Sequence, residues 1–291
     1  MYKIAILGCE NSHANNFLDF VIGNKNTPKI YSDIEVLGVF SEDRAAAEKL
    51  RDIYGVKVAD SYDEFVGKVD GIIVTARHGD NHYKYAMPYL DSGIPMFIDK
   101  PITVSEEDAL ALREALIKNK IKYSGGSICK YPRPILELAK IVKEGTAGKV
   151  YGGMLRAPVN MNNPYGEFFF YSQHLVQAMC TIFGYYPESV KAFVNGEVIT
   201  CAVRYKDYDV TLVYVAENYE YAAGINCEKL AKYESYSLEG CFEKEFSAFY
   251  NLLTGGEPEE NCEDFIAPVF ILNAIDRSIK SGNEEKVNKI N

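Results

Sequence analysis

Up to Lys122, apolar positions come in short continuous runs separated by longer amphipathic stretches. Ile4-Ala5-Ile6-Leu7 ends at Gly8, and Val36-Leu37-Gly38-Val39-Phe40 ends at Ser41. Gly71-Ile72-Ile73-Val74 ends at Thr75, and Pro95-Met96-Phe97-Ile98 ends at Asp99. Runs this short and this apolar predict strands buried on both faces. Between them, Phe17, Leu18, Val21 and Ile22 line one face of a predicted helix. Further helices are expected near Asp43 to Tyr54, Asn81 to Asp91 and Ser105 to Lys118. Ser105, with Asp108 three residues on, gives the last of these a hydroxyl cap and an acidic first turn. Strand alternating with helix predicts an α/β domain with a doubly wound parallel sheet of the Rossmann kind over residues 1–122.

The rhythm changes after Lys122. One helix is expected from about Pro134 to Glu144, ending at Gly145, and another from about Ser172 to Phe183. Five segments then alternate in part: Val190 to Val194, Cys201 to Tyr205, Val210 to Val215, Tyr221 to Ile225 and Ala231 to Tyr236. They predict successive antiparallel strands, with Lys206-Asp207-Tyr208-Asp209 as a hairpin connection. Helices near Phe242 to Leu253 and Glu263 to Ser281 follow. Residues 123–291 therefore read as an α+β domain. The length of 291 residues agrees with two domains at ~100–200 residues each.

The formal net charge of −10 argues against a polyphosphate partner, so no nucleic-acid binding is expected. No polybasic run suggests a membrane surface, no apolar run is long enough to span a bilayer, and no signal-peptide layout precedes the first strand. The seven cysteines are odd in number and scattered, with no CxxC pair. Reduced thiols in a cytoplasmic protein are the simplest reading.

Ligands of a doubly wound sheet bind beyond the carboxyl ends of the strands. Those ends hold Gly8 to His13, Ser41 to Arg44, Thr75 to His82, and Asp99-Lys100-Pro101. Of a GxGxxG fingerprint only Gly8 is present. Glu10 stands at the second glycine and His13 at the third. Asn11 and Ser12 are still good caps, and a helix N-terminus offers N–H groups to phosphate. After the second strand, Ser41 stands where an acid normally reads the adenosine ribose, with Arg44 nearby. An arginine without the acid tips the expected cofactor, NAD or NADP, slightly toward NADP, although Glu42 and Asp43 beside it would serve NAD. Ser41 equally suits a helix cap. Lys100, at the end of the fourth run, is an ammonium placed to stabilise a substrate oxygen. A solvated surface lysine is the plain alternative. His78 and His82 with Asp80 invite a metal reading, but they straddle a loop-to-helix boundary, and no metal is expected.

With these residues assembled, the chain resembles the Gfo/Idh/MocA family of oxidoreductases, named for glucose-fructose oxidoreductase and inositol dehydrogenase. The resemblance lies in Asp70-Gly71-Ile72-Ile73-Val74-Thr75, His82, Gly93-Ile94-Pro95 and Asp99-Lys100-Pro101, the last similar to the family's Glu-Lys-Pro. Gly145, Gly148-Lys149-Val150 and Ala274-Ile275-Asp276-Arg277-Ser278 through Gly282 extend it. It implies a Rossmann domain followed by a domain with a large open, mostly antiparallel sheet that forms the contact of a homodimer or homotetramer. It implies an NAD(P)-dependent oxidoreductase acting on a sugar, inositol or related polyol. Lys100 matches the family lysine on the reacting oxygen, and the Lys100–Pro101 peptide is expected to be cis. His174 matches the histidine of the family's Asp-x-x-x-His-x-x-Asp run, the expected general acid/base. Phe170 and Gln177 replace its two aspartates. Tyr171 is a candidate substrate contact. Cofactor contacts are expected from Gly8, Asn11, Ser12, His13, Ser41, Arg44, Thr75, His82, Asp99 and Lys100. Glu10, Phe170 and Gln177 leave a second reading open, a non-catalytic relative that senses a ligand or regulates a partner.

Overall fold

The structure is a computed structural model that describes residues 1–290. Along the chain lie β1 (Tyr2–Leu7), α1 (Ser12–Val21), β2 (Ile34–Phe40), α2 (Arg44–Tyr54), β3 (Gly71–Val74), α3 (Asp80–Ala86), β4 (Met96–Asp99), α4 (Glu106–Lys118) and β5 (Tyr123–Gly126). There follow α5 (Arg133–Glu144), β6 (Val150–Val159), α6 (Phe168–Phe183), β7 (Ser189–Asn195), β8 (Val198–Arg204), β9 (Asp209–Ala216), β10 (Tyr221–Cys227) and β11 (Ala231–Tyr236). The chain closes with α7 (Cys241–Leu253), α8 (Cys262–Ser281) and β12 (Glu284–Lys286). Two compact units result. Residues 1–103, 107–126 and 242–262 form the first, and the second is built mainly from 127–241 and the stretch from Glu263 onward.

The first unit holds a five-stranded sheet in the order β2-β1-β3-β4-β5 with parallel pairing throughout. Every residue of β3 and β4 is buried, as their unbroken apolar runs require. The helix α1 buries Ala14, Phe17, Leu18 and Val21, one stripe of an amphipathic helix. α7 belongs by packing to this unit although it lies far beyond Lys122. Phe17 meets Phe97 at 5.1 Å and Phe246 at 5.5 Å between ring centroids, and Phe97 meets Phe249 at 6.4 Å. A single cut after Lys122 misses this return, because nothing in the periodicity of α7 tells which core its aromatic face will join.

The second unit holds a seven-stranded sheet in the order β11-β10-β6-β9-β8-β7-β12. Only β6 and β9 pair parallel; the other pairs are antiparallel. Leu155, Ala157, Val203, Leu212, Tyr214, Ala223 and Ile225 face inward and share one core with Leu175, Val176 and Met179 of α6 and Ile271 and Ile275 of α8. Residues of the opposite face, among them Met154, Thr200, Ala202, Thr211 and Val213, are half-buried. α6 approaches the sheet where it lacks side chains: a Cβ on Gly153 would lie 2.5 Å from Phe183 and 2.3 Å from the Gly224 carbonyl oxygen. β5, β6 and β12 are absent from the predicted strands, and α6 begins a full turn earlier than predicted, at Phe168. No helix among the described residues is long and apolar enough to cross a membrane.

Candidate functional site

The strand order of the first unit reverses between β1 and β3, so the crevice of interest lies beyond their carboxyl ends. Gly8 turns the chain there at φ +77°, and a Cβ would fall 2.4 Å from the Ala76 Cα. Both facts require glycine. Asn11 caps α1, accepting the His13 N–H at 3.2 Å, and Ser12 stands exposed at the helix start.

His13 is buried and faces Asp99. Its Nδ1 lies 2.6 Å from Asp99 Oδ2, to which Asn11 Nδ2 also donates at 3.3 Å. The other carboxylate oxygen accepts the Lys100 N–H at 2.7 Å. Burial alone would raise the Asp99 carboxyl. The His13 ring beside it, with help from Lys100 and His82, outweighs burial and holds Asp99 at about 2. A fixed negative charge therefore sits next to Lys100 at neutral pH. Lys100 is itself buried, and its peptide bond to Pro101 is cis.

Thr75 and His82 are fully enclosed. The Thr75 hydroxyl donates to the Gly8 carbonyl at 3.2 Å. The His82 ring nitrogens lie 2.5 Å from the Pro101 carbonyl oxygen and 2.8 Å from that of Ala76. Burial pushes its pKa down. These two side chains tie together the Gly8 turn, the exit of β3 and the chain after Lys100.

Ser41 and Arg44, close in sequence, engage different partners. The Ser41 hydroxyl donates to Glu10 Oε2 at 2.6 Å, and Glu10 Oε1 accepts the Arg77 N–H at 2.9 Å. Arg44 is engaged elsewhere, donating to the Ala59 carbonyl at 2.9 Å and to Asp60 at 3.2 Å, with Glu48 at 3.5 Å.

In the second unit, His174 lies buried on α6 with its Nδ1 2.7 Å from the Ser127 hydroxyl oxygen. That oxygen also accepts the Cys129 N–H at 3.1 Å, capping the short turn after β5. A hydroxyl has one proton and two acceptor sites, so Ser127 can still hold either tautomer of His174. Tyr171, one helical turn earlier, sets its ring edge-on 5.3 Å from the His174 ring, and Tyr219 meets Tyr171 at 5.7 Å. Phe170 is buried among Tyr165 and Tyr171, and the Gln177 amide donates to the Tyr185 hydroxyl at 3.4 Å. Ser127 has no counterpart among the residues singled out by sequence. It lies 47 positions from His174, and no periodicity links the two.

Residues 2–127 match the family model described as oxidoreductase family, NAD-binding Rossmann fold, of the Gfo/Idh/MocA type. These residues, the first part of the chain, are thus similar to the NAD-binding part of that family. An uncharacterized oxidoreductase of Streptococcus pneumoniae is 28% identical over 106 residues, which cover 36% of this chain and 29% of that protein. The match thus spans under a third of that relative's length. The fold of the whole chain is similar to that of myo-inositol 2-dehydrogenase from Lactobacillus plantarum, with TM-score 0.84, 14% identity and 99% of each chain covered. It is similar also to scyllo-inositol dehydrogenase from Lactobacillus casei, solved with NAD(H) and scyllo-inositol, with TM-score 0.83, 15% identity and 99% of each chain covered. At such identities the likeness is one of fold.

Proposed function

We propose that this protein is an NAD(P)-dependent oxidoreductase that moves hydride between nicotinamide and a CH–OH group of a sugar, inositol or related polyol. The reading rests on one observation above the rest: a buried ammonium, Lys100, directly after the carboxyl end of β4 in a segment of the NAD-binding Rossmann family. The fold likeness to an inositol dehydrogenase solved with scyllo-inositol supports the substrate class.

The residues present fit a dinucleotide. Gly8 permits the tight turn, and α1 carries no acidic residue in its first turn, which leaves the positive end of its dipole for a pyrophosphate. The Glu10 oxygens are taken by Ser41 and the Arg77 amide rather than by the α1 turn. In this reading Gly8, Asn11, Ser12 and His13 shape the phosphate end, Ser41 and Arg44 lie toward the adenosine end, and Thr75, His82 and Asp99 support the reacting end. A bound nicotinamide supplies the hydride acceptor or donor.

Lys100 donates a hydrogen bond to the substrate oxygen and stabilises its developing negative charge. His174 exchanges the hydroxyl proton at Nε2 while Ser127 holds Nδ1, in place of the family's carboxylate. Tyr171 flanks the ring and offers a face to the substrate. The first unit carries the cofactor role and the second the substrate role. The half-buried face of the seven-stranded sheet joins copies into a homodimer or homotetramer, which sedimentation would read directly.

The test is turnover. The purified protein is incubated with NAD or NADP and a panel of inositols, sugars and sugar alcohols, and reduced nicotinamide is followed. Reduction that needs both a panel member and Lys100 supports the proposal. Full activity in Lys100→Met, or no turnover with any panel member, overturns it.

A further inference from the structure

We infer that Glu10 is the acid that reads the adenosine ribose, so that the protein selects NAD over NADP although its second strand ends in Ser41. This rests on the proposal that the chain binds a nicotinamide dinucleotide. In sheets of this kind the carboxylate that accepts from the ribose hydroxyls usually stands at the end of the second strand. Here that place holds a serine, and the glycine position of the first turn holds a glutamate. The structure joins the two: Glu10 reaches across from the turn after β1 and sets its carboxylate 2.6 Å from the Ser41 hydroxyl. A carboxylate thus arrives where the sequence lacks one.

The competing charges nearby are already committed. Asp43 caps α2 through the Ala46 N–H at 3.1 Å, and Glu42 pairs with Lys84 at 2.6 Å. Arg44, the residue that would favour a 2′-phosphate, is held by Asp60, Glu48 and the Ala59 carbonyl. Glu10 keeps capacity to act. A carboxylate has about four acceptor sites, and the Ser41 hydroxyl and Arg77 amide fill two. The residue is half-buried rather than enclosed, so a vicinal diol can add its two donors. A 2′-phosphate in the same place would face the carboxylate's charge and bring no donor to it.

The test compares NADH with NADPH in equilibrium titrations of the full chain, wild type against Glu10→Gln. The amide keeps the size and removes the charge, and circular dichroism checks that the fold is retained. Glu10→Asp, with the charge kept on a shorter arm, serves as the second variant. The wild type should bind NADH at least about tenfold more tightly than NADPH, a conservative figure for a like-charge contact. Glu10→Gln should reduce that ratio by about tenfold, with Glu10→Asp in between. Equal wild-type affinities overturn the inference, as does an unchanged ratio in Glu10→Gln. Tighter binding of both nucleotides by Glu10→Gln overturns it too, since the carboxylate is then only an obstacle. Binding of neither nucleotide by the wild type is a different failure, and it removes the underlying proposal of function.

Discussion

Replacing His13 by alanine should destabilise the protein by about 3 kcal/mol at neutral pH and change how stability depends on acid. Asp99, its partner, is fully buried and held at about 2 against an ordinary value of 3.8. Each tenfold change in a protonation equilibrium is worth about 1.4 kcal/mol, so this difference stabilises the folded state by about 2 kcal/mol. The folded value lies below the unfolded one, so the contribution is complete above the ordinary carboxyl range. It is lost as pH falls from 3.8 toward about 2. His13 is the foremost of the groups that oppose burial, and without it the enclosed carboxyl moves up. Orphaning one partner of a buried pair costs ~3–5 kcal/mol in general. The lost edge-on contact between His13 and Phe242, at 4.7 Å between centroids, falls within that range. Urea unfolding followed by circular dichroism from about pH 3 to about pH 8 reads both effects. The wild type should lose stability steeply at the acid end, and His13→Ala should show a lower midpoint at neutral pH with a shallower acid limb. His13→Ala/Asp99→Asn should recover part of the loss, because the orphaned charge is gone. Coincident curves for wild type and His13→Ala, or a coupling below about 0.5 kcal/mol in the double-mutant cycle, would refute the reasoning.

Other consequences are as direct. Lys100→Met should lower kcat by about 100-fold or more while leaving NADH affinity within about threefold, since in the proposed reading the lysine acts on the substrate oxygen. Ser127→Ala should lower kcat by about tenfold and alter the pH profile of kcat, and Ser127→Thr should restore both, because a hydroxyl holds His174 Nδ1. Gly8→Ala should cost at least about 3 kcal/mol in thermal unfolding and abolish nucleotide binding, since its Cβ would fall 2.4 Å from Ala76 at a φ of +77°. Phe246→Ala should cost about 3–5 kcal/mol by opening the aromatic core beneath the sheet, read again in urea unfolding.

The parallel sheet was legible because β1, β3 and β4 are covered on both faces, which leaves unbroken apolar runs in the sequence. β6 was not, although it lies inside the larger sheet between β10 and β9. Gly152-Gly153 and Pro158 read as breakers. In the fold Gly153 admits Phe183 and the β10 backbone and Gly152 admits the Asp209 carbonyl of β9, while Pro158 lies beyond Arg156, the last partner of β10 on that side. β5 is only Tyr-Ser-Gly-Gly, too short and glycine-rich to signal a strand. In the candidate site, Lys100 and Asp99 stand out because they directly follow an apolar run at a strand's carboxyl end. The partners that define their neighbourhoods do not. Glu10 meets Ser41 across 31 positions and Ser127 meets His174 across 47, pairings set by the order of strands rather than by local spacing. The direction of Arg44 is likewise fixed by Asp60 and Ala59, which no motif connects to it.

Binding of a nicotinamide dinucleotide is the central claim, and thermal unfolding of the purified protein with NAD, NADH, NADP and NADPH in turn tests it most directly. A ligand at ~100 times its Kd adds about 2.7 kcal/mol to the folded state, a shift large enough to read. A saturable rise is expected with NADH or NAD, and a smaller one with the phosphorylated pair. No rise with any of the four, together with no nucleotide carried through purification, would contradict it.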